Sequence, residues 1–259
     1  MVRTYIRTAP RNRLCLSRFA ADTHQPRPRG SILSKNNIHH HESFSYSIEQ
    51  GIDDLEQLIK KLGLRQFHLF GQSFGGILGY EFLKRRAQRN KDSNNNNNST
   101  SNDDYKVLSF IASSTPTSVP KVEAQVQELL QSLLEEDDDE TTVEERFQKK
   151  HICRTEEKPK ALEDAYAHAG TVWRGSNAIA DYVAEPPSDD ADPLPPAMIM
   201  RGEHDFVTDD CCRDWKERLW NQKRIRERVL DGCSHHGLLE NGFVYGDMVD
   251  SFCIEYDIY

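Results

Sequence analysis

The sequence predicts an α/β fold in which a parallel sheet has helices on both faces and a helical segment is inserted between two strands. Helix and strand patterns alternate over residues 47–116 and again over residues 191–259. Residues 117–190, between them, carry helical patterns in place of that alternation. A chain of 259 residues is long enough for one domain with such an insertion. Residues 1–46 are expected to form a largely irregular N-terminal segment.

The first part of the predicted core, residues 47–116, begins with a helix. Apolar residues recur at spacings of three and four from Ser47 onward, and Gly63 provides a stop. The short strand Arg65–Phe70 follows, and a second helix begins after the glycine-rich stretch that ends this strand. Val107–Ala112 is the next buried strand. Because strands alternate with helices, neighbouring strands are expected to be parallel.

The insertion, residues 117–190, is predicted to be a helical cap. Its apolar pattern begins at Val122 and continues to Leu134, and further helical patterns lie near residues 143–152 and 161–168. The second part of the core, residues 191–259, resumes with an apolar strand. Its predicted elements are the strand Ala197–Met200, the helix Asp214–Trp220, a strand within Ile225–Leu230 and the helix Val244–Tyr256.

The stretch Gly71-Gln72-Ser73-Phe74-Gly75 lies where the strand Arg65–Phe70 gives way to a helix. Gly-x-Ser-x-Gly at such a junction is the pattern of a nucleophile elbow, a strained turn that exposes the serine hydroxyl. The flanking glycines leave room for strand and helix to cross. Ser73 is therefore the candidate nucleophile, and the Phe74 N–H group is a candidate oxyanion-hole donor. The alternative is a glycine-rich turn with an incidental serine.

A serine hydroxyl needs a base to take its proton and an acid to orient that base. Hydrolases with a nucleophile elbow carry these groups in the chain order serine, acid, histidine. Asp205 follows the strand Ala197–Met200, and His235 follows the strand near Val229. Both positions lie at strand ends, where ligands bind in open parallel sheets. We predict a triad of Ser73, Asp205 and His235.

Neighbouring residues offer alternatives to two members of this triad. His236 is a rival for the base, and Glu203 and Asp209 are rivals for the acid.

A metal site is not predicted at His39–His41, because adjacent histidines project in different directions and lack the spacing of zinc ligands.

The overall charge and hydropathy narrow the class of partner. A formal net charge of −9 gives no reason to expect nucleic-acid binding, which favours a basic face. No run of about 20 apolar residues is present, so no membrane-spanning segment is predicted.

The cysteines and the N-terminal composition bear on location. The six cysteines include no C-x-x-C pair, which favours reduced thiols and a cytoplasmic protein. Residues 1–21 contain five arginines and no acid, a composition typical of an organellar transit peptide. A mitochondrion or another organelle is therefore the alternative location.

Five stretches of the chain resemble the α/β-hydrolases of the proline iminopeptidase group. They are LGLRQFHLFGQSFGGILGYEF around Ser73, RFQKKHICR at Arg146–Arg154, GTVWRGSNAI at Gly170–Ile179, RGEHDFVT around Asp205 and DGCSHHGLLEN around His235. The elbow and acid motifs are shared widely among hydrolases, whereas the two cap stretches are narrower signals. The resemblance extends from about residue 46 to the C-terminus.

This resemblance implies roles for several residues. It implies an α/β-hydrolase fold with a cap, and it favours His235 as the base because the five-residue spacing to Glu240 matches the group. It also implies that Trp173, Arg174 and Asn177 bind substrate.

The sequence departs from the group in two respects. The group carries a His-Gly-Gly-Pro-Gly loop that supplies an oxyanion-hole amide, and no such loop precedes Ser73, as if the fold were shortened at its N-terminus. The aminopeptidases of the group also bind the substrate ammonium with a cap glutamate, where this chain has Arg174 or Ala178. Some members place a further acid directly after the catalytic aspartate, where this chain has Phe206.

The function that the resemblance implies is that of a serine peptidase releasing an N-terminal proline from small peptides through an acyl-enzyme, without a metal or organic cofactor. A carboxylesterase or amidase of broad specificity is one alternative, since the ammonium-binding glutamate is absent. A non-catalytic binding protein that retains the scaffold is another, since the oxyanion loop is absent. The expected partner is a small peptide, amide or ester, with neither nucleic acid nor membrane.

Overall fold

The computed structural model describes residues 4–8, 47–95, 105–136, 141–167 and 179–257. Within these residues five strands form one sheet in the order β1-β2-β3-β4-β5. The strands β2 to β5 are parallel, and β1 runs antiparallel to β2. Their bounds are β1 Thr4–Thr8, β2 Gln66–Gln72, β3 Lys106–Ser113, β4 Ala197–Gly202 and β5 Ile225–Leu230.

Strand β1 is an element that the sequence analysis did not predict. It lies in the segment expected to be largely irregular, and it pairs with β2 over five residues, from Thr4 opposite Gly71 to Thr8 opposite Phe67. It places an antiparallel strand beside the strand that leads to Ser73. The rest of the N-terminal segment, residues 1–3 and 9–46, lies outside the described part of the chain.

Helices connect the parallel strands, as the alternation predicts. The helix before β2 begins with a capping box, in which Ser47 and Gln50 bond each other's main chain. Its chain turns at Gly63, whose φ of +62° favours glycine. The helices are α1 Ile48–Lys61, α2 Phe74–Asn95, α3 Val119–Leu134, α4 Val143–Phe147, α5 Lys160–Ala167, α6 Asp209–Cys212, α7 Gly237–Glu240 and α8 Gly242–Glu255.

Two further segments are π-helical. Gln148–Ile152 continues directly from α4. The helix expected at Asp214–Trp220 is a π-helical turn over Trp215–Leu219, and the short 3₁₀ helix Gln222–Arg224 leads from it to β5. None of the described helices combines the length and apolarity that crossing a membrane requires.

The sheet buries apolar side chains on both faces. Successive residues point to opposite faces, so Leu69 packs with helices α1 and α2, whereas Phe70 packs with α8. Ile111 likewise lies on the α8 side, in the same apolar cluster as Phe252. Helices therefore cover both faces of the sheet, which confirms the predicted fold class.

Helices α3, α4 and α5 with the π-helical turn Gln148–Ile152 form the cap. They share a small apolar cluster built from Leu133, Phe147, Ile152, Cys153 and Leu162. The chain leaving β3 pairs with the chain returning from the cap: Val119 donates to the Tyr182 carbonyl, and Ala184 donates to the Thr117 carbonyl. The two segments that connect the cap to the core therefore lie side by side.

Candidate active site

Ser73 occupies the turn between β2 and α2. β2 ends at Gln72 and α2 begins at Phe74, and Ser73 between them has a φ of 53°. A positive φ is uncommon for a residue with a side chain and persists only where the surroundings hold it. The Ser73 N–H group donates to the Ser113 carbonyl at 2.8 Å, which ties the turn to the end of β3.

Glycines make this turn possible. A Cβ atom on Gly71 would lie 2.2 Å from the carbonyl oxygen of Gly75, and a Cβ atom on Gly76 would lie 2.0 Å from Oγ1 of Thr115. Strand, turn and neighbouring loop approach too closely for side chains at these positions. The sequence analysis expected this role for the glycines that flank Ser73; the structure shows it at Gly71, and also at Gly76, which was not expected.

Asp205 lies in the loop after β4, residues 203–208, which we call the acid loop. Its side chain is fully buried, and its Oδ1 accepts a hydrogen bond from the Val207 N–H group at 2.8 Å. The same oxygen lies 2.9 Å from Nδ1 of His235. Since a carboxylate only accepts, this geometry requires the proton on Nδ1.

His235 lies in the loop after β5, residues 231–236, which we call the base loop. Its ring is buried, and its Nδ1–H bond to Asp205 leaves Nε2 as the acceptor nitrogen. A neutral imidazole in this tautomer can take a proton at Nε2. The two predicted partners of the serine are therefore in direct contact.

The base loop is also bound to the elbow. The side-chain amide of Gln72 donates to the His235 carbonyl at 2.9 Å, and Oγ of Ser114 donates to the same oxygen at 3.4 Å. Gln72 directly precedes Ser73 in the chain. Ser114 follows β3 with a φ of 48°, a second positive value near the site. These bonds bring the histidine, the acid and the elbow to one end of the sheet.

The rival residues have other partners. Glu203 accepts a hydrogen bond from the Gly232 N–H group at 2.8 Å, and Asp209, whose side chain is 65% exposed, contacts Arg201 and Arg213. The ring of His236 lies 3.5 Å from the Tyr166 hydroxyl in the cap. Of the three candidate acids, Asp205 is the one that contacts His235.

Aromatic side chains border His235. The Phe206 ring lies 4.3 Å from the His235 ring between centroids, and the Phe147 ring of the cap lies 6.2 Å from Phe206. Phe206 stands where some relatives were expected to carry an acid. It gives the base an apolar neighbour, which excludes water and strengthens the electrostatic contact with Asp205.

Buried cysteines lie close to the acid in the same part of the core. Burial raises the pKa of the Cys212 thiol, and the negative charge of Asp205 raises it further. Burial likewise raises the pKa of Cys211. Both thiols therefore stay protonated at neutral pH, which argues against either as a nucleophile.

The spacing from His235 to Glu240 has a local reason. The Glu240 carboxylate accepts hydrogen bonds from the Ser234 N–H group at 2.7 Å and from the Ser234 hydroxyl at 2.6 Å. Glu240 ends the short helix α7 that follows the base loop. It fixes the residue beside His235 and so shapes the loop.

The remaining predicted site residues fall in two groups. Phe74, the candidate oxyanion-hole donor, is the first residue of α2. Trp173, Arg174 and Asn177 lie outside the described residues. Among the residues that the structure does describe, no cluster of histidine, cysteine, aspartate and glutamate has the arrangement of a metal site.

Sequence reasoning missed Gln72, Ser114 and the cap residue His151. Gln72 lay inside the pentapeptide, and Ser114 lies two residues after the end of the predicted strand Val107–Ala112. Position alone could have marked both as neighbours of the site. Their bonds to His235 span 163 and 121 residues and have no sequence signal.

No family model matches the chain, and no curated protein matches it in sequence. Solved structures are nevertheless similar in fold. A proline iminopeptidase from Mycobacterium smegmatis matches with a TM-score of 0.65 and 19% identity, over 82% of this chain and 73% of that one.

Two esterases are also similar. A thermophilic esterase matches with a TM-score of 0.53 and 14% identity, over 83% of this chain and 75% of that one. The esterase EaEST from Exiguobacterium antarcticum matches with a TM-score of 0.51 and 16% identity, over 80% and 74%. At these identities the likeness concerns the fold, and the chain has an α/β-hydrolase fold.

Proposed function

We propose that the protein is a serine hydrolase that cleaves a small amide or ester through an acyl-enzyme. The observation that carries the proposal is the 2.9 Å contact between His235 Nδ1 and Asp205 Oδ1. The base loop that holds His235 is in turn bound to Gln72, the residue next to Ser73. This arrangement supplies an oriented base at the strained turn that bears the serine. A buried histidine–aspartate contact alone would be an ordinary structural pair.

In the first half of the reaction His235 takes the proton of the Ser73 hydroxyl at Nε2 while Oγ attacks the substrate carbonyl carbon. Asp205 stabilises the imidazolium that forms. Collapse of the tetrahedral intermediate breaks the bond to the amine or alcohol, and His235 gives its proton to that leaving group. The acyl group stays on Ser73 as an ester.

In the second half a water molecule attacks the acyl carbon. His235 takes a proton from the water and returns it to Ser73 Oγ as the ester breaks, so the enzyme is regenerated and the carboxylic acid is released. The division replaces one difficult step by two easier ones. The reaction needs no oxidant and no cofactor.

The Phe74 N–H group is proposed as one donor to the negative oxygen of each intermediate. It lies at the start of α2, where the helix dipole adds favourable charge. A serine hydrolase gains about 10²–10³-fold in rate from one such donor.

Within this class we propose a proline iminopeptidase-like activity as the first candidate. Support comes from the cap stretches at Arg146–Arg154 and Gly170–Ile179, which resemble that group, and from the structural similarity to the iminopeptidase. The substrate would be a small peptide with a free N-terminal proline. Trp173, Arg174 and Asn177 are proposed to contact it.

An esterase is the second candidate, and one observation favours it. Phe206, with its ring 4.3 Å from His235, occupies the position where some members of the resembled group carry a further acid. Arg174 in the cap stretch would repel a substrate ammonium. Neutral esters and N-blocked amides do not carry that charge.

The assignment of the protein as a serine hydrolase is tested by measuring its turnover of a nitrophenyl ester. The protein should release nitrophenol with a Ser73-dependent rate, and Ser73→Ala should reduce that rate to background. The exposed Ser132→Ala variant in α3 is the control and should match the unsubstituted protein. A rate that survives in Ser73→Ala would exclude Ser73 as the nucleophile.

The two candidates are separated by comparing proline naphthylamide with its N-blocked form and with a neutral ester. If Arg174 and Phe206 leave the substrate ammonium without an anchor, as the esterase candidate requires, blocked or neutral substrates should react at least as well. A preference of more than about 10²-fold for the free amine would establish the iminopeptidase, because it corresponds to roughly 2.7 kcal/mol of recognition.

A further inference from the structure

The cap touches the base loop through the π-helical turn Gln148–Ile152. The His235 N–H group donates to the His151 carbonyl at 3.2 Å, and the His236 N–H group donates to the Ile152 carbonyl at 3.1 Å. These main-chain bonds join segments more than 80 residues apart. They can form only when the cap is seated on the base loop.

The side chain of the same cap residue reaches the acid loop. Nδ1 of His151 lies 2.8 Å from the His204 carbonyl oxygen, and since a carbonyl only accepts, Nδ1 donates. His204 directly precedes Asp205. Its own N–H group donates to the Cys233 carbonyl at 2.8 Å, so the acid and base loops are also bound to each other.

Packing holds the His151 ring in this orientation. The residue is 7% exposed, and the Phe147 ring lies 5.3 Å from its ring between centroids. Phe147 also contacts Phe206, which in turn contacts His235. The aromatic contacts therefore link the same three parts of the molecule as the hydrogen bonds: cap, acid loop and base loop.

We propose that His151 is a positioning residue, which sets the geometry of the His235–Asp205 pair through its carbonyl on one side and its ring on the other. It does not touch the reacting atoms. Its effect on rate rests on the proposed function, whereas its effect on the geometry of the pair does not. Misplacement of a catalytic group by about 1 Å can reduce a rate about 10²-fold.

Two substitutions separate the hydrogen bond from the packing. His151→Phe keeps an aromatic ring and removes the donor, and it should lower kcat for a nitrophenyl ester by about 10–100-fold with little change in KM. His151→Asn places an amide N–H near the position of Nδ1 and should recover most of that loss. Lys150→Ala is the control, since Lys150 pairs with Glu136 inside the cap.

The geometry is read independently of turnover from the proton on His235 Nδ1, which gives a downfield NMR resonance when it is hydrogen-bonded to Asp205. This resonance should broaden or move upfield in His151→Phe and should return in His151→Asn. Equal kcat and an unchanged resonance in a folded His151→Phe protein would overturn the proposal. So would a failure of His151→Asn to recover either property when Lys150→Ala behaves normally.

The unsubstituted protein provides a test that does not depend on the folding of a variant. Nitrogen-15 chemical shifts should identify His151 as the tautomer protonated at Nδ1, and a proton on Nε2 alone would overturn the proposal. If the protein neither hydrolyses esters nor reacts with a fluorophosphonate, the proposed function fails. The resonance of His235 still decides whether His151 positions the pair.

Discussion

The Asp205 carboxylate makes its two short contacts through one oxygen. Oδ1 accepts from the Val207 N–H group and from His235, whereas Oδ2 is buried and has no hydrogen-bond partner among the described residues. The loop amide thus fixes the oxygen that orients the ring. In the proposed mechanism, the buried charge stabilises the imidazolium that forms when His235 takes the serine proton.

At this residue we expect Asp205→Asn to lower kcat for a nitrophenyl ester by roughly 10⁴-fold while the protein stays folded. The amide keeps the shape of the carboxylate but can donate to Nδ1, which moves the histidine proton to Nε2 and removes the base. Steady-state kinetics and circular dichroism measure the two effects.

The matched control is Asp209→Asn, which changes the exposed rival acid in the same part of the chain. Its kcat should remain within about twofold of that of the unsubstituted protein, since exposed ion pairs contribute little. A large loss in Asp209→Asn with little loss in Asp205→Asn would reverse the assignment of the acid.

The buried His151 ring is also expected to make the stability of the folded protein depend on pH. Burial lowers the pKa of its ring from 6.5, and the charges of Lys150 and Arg154 lower it further, while the bond to the His204 carbonyl opposes them. Below pH 6.5 the unfolded chain therefore binds a proton more readily than the folded one. The folded state loses stability as the pH falls through this window and keeps the full contribution above it.

We expect the melting temperature to fall more steeply between pH 7 and pH 5 in the unsubstituted protein than in His151→Asn, because asparagine does not titrate. Calorimetry at closely spaced pH values measures the difference. Parallel curves for the two proteins would contradict a neutral, buried His151.

The sequence could predict the candidate catalytic residues but not the residues that hold them in place. Ser73, Asp205 and His235 are visible because the motif and the strand order constrain where they fall. Gln72, Ser114 and His151 act through main-chain atoms of distant residues, and any polar side chain of similar reach would look the same in the sequence. Their roles require coordinates.

At the scale of the elements, the turn between β2 and α2 requires a residue without a side chain at Gly71. A Cβ atom there would lie 2.2 Å from the Gly75 carbonyl oxygen, and backbone cannot move aside as a flexible side chain does. We expect Gly71→Ala to destabilise the protein by about 1–3 kcal/mol and to remove Ser73 from its reactive position. Thermal unfolding and ester turnover measure the two effects.

Gly246→Ala in α8 is the matched control, because nothing lies within 4 Å of a Cβ atom at that position. Alanine favours a helix over glycine by about 0.5–1 kcal/mol, so this variant should be unchanged or more stable. If both variants kept full stability and turnover, the close approach at the elbow would not be essential.

Strands β2 and β1 show where a sequence pattern is sufficient to predict a strand and where it is not. The strand predicted at Arg65–Phe70 is observed at Gln66–Gln72, since a short apolar run before a glycine-rich turn is a strong signal. Strand β1 was missed although Thr4–Thr8 contains threonine, tyrosine and isoleucine, which favour strands. The surrounding arginines suggested a targeting segment, and pairing with β2 is a long-range effect.

The π-helical turns could also not be predicted from the sequence. Trp215–Leu219 follows a helical pattern, yet the buried Trp215 donates through its indole N–H to the Thr115 carbonyl at 2.8 Å. Thr115 follows β3 near the active-site end of the sheet. A tertiary contact of this kind has no signal in the local sequence pattern.

For the whole molecule, the fold follows from alternation and burial, and the site follows from the fold. Parallel strands place their C-terminal ends at one edge, so loops that are distant in sequence meet there. Substrate preference is less accessible, because it depends on the cap side chains near Gly170–Ile179, which lie largely outside the described residues. The chemistry can therefore be argued further than the specificity.

The most direct measurement of the central claim is labelling with a fluorophosphonate, followed by mass spectrometry of the intact protein and of its peptides. The reagent reacts with a serine activated by an oriented base. We predict one adduct, on Ser73, with none in Ser73→Ala and a strongly reduced rate in His235→Ala. A folded protein that stays unlabelled, or that is labelled at another residue, would contradict the account.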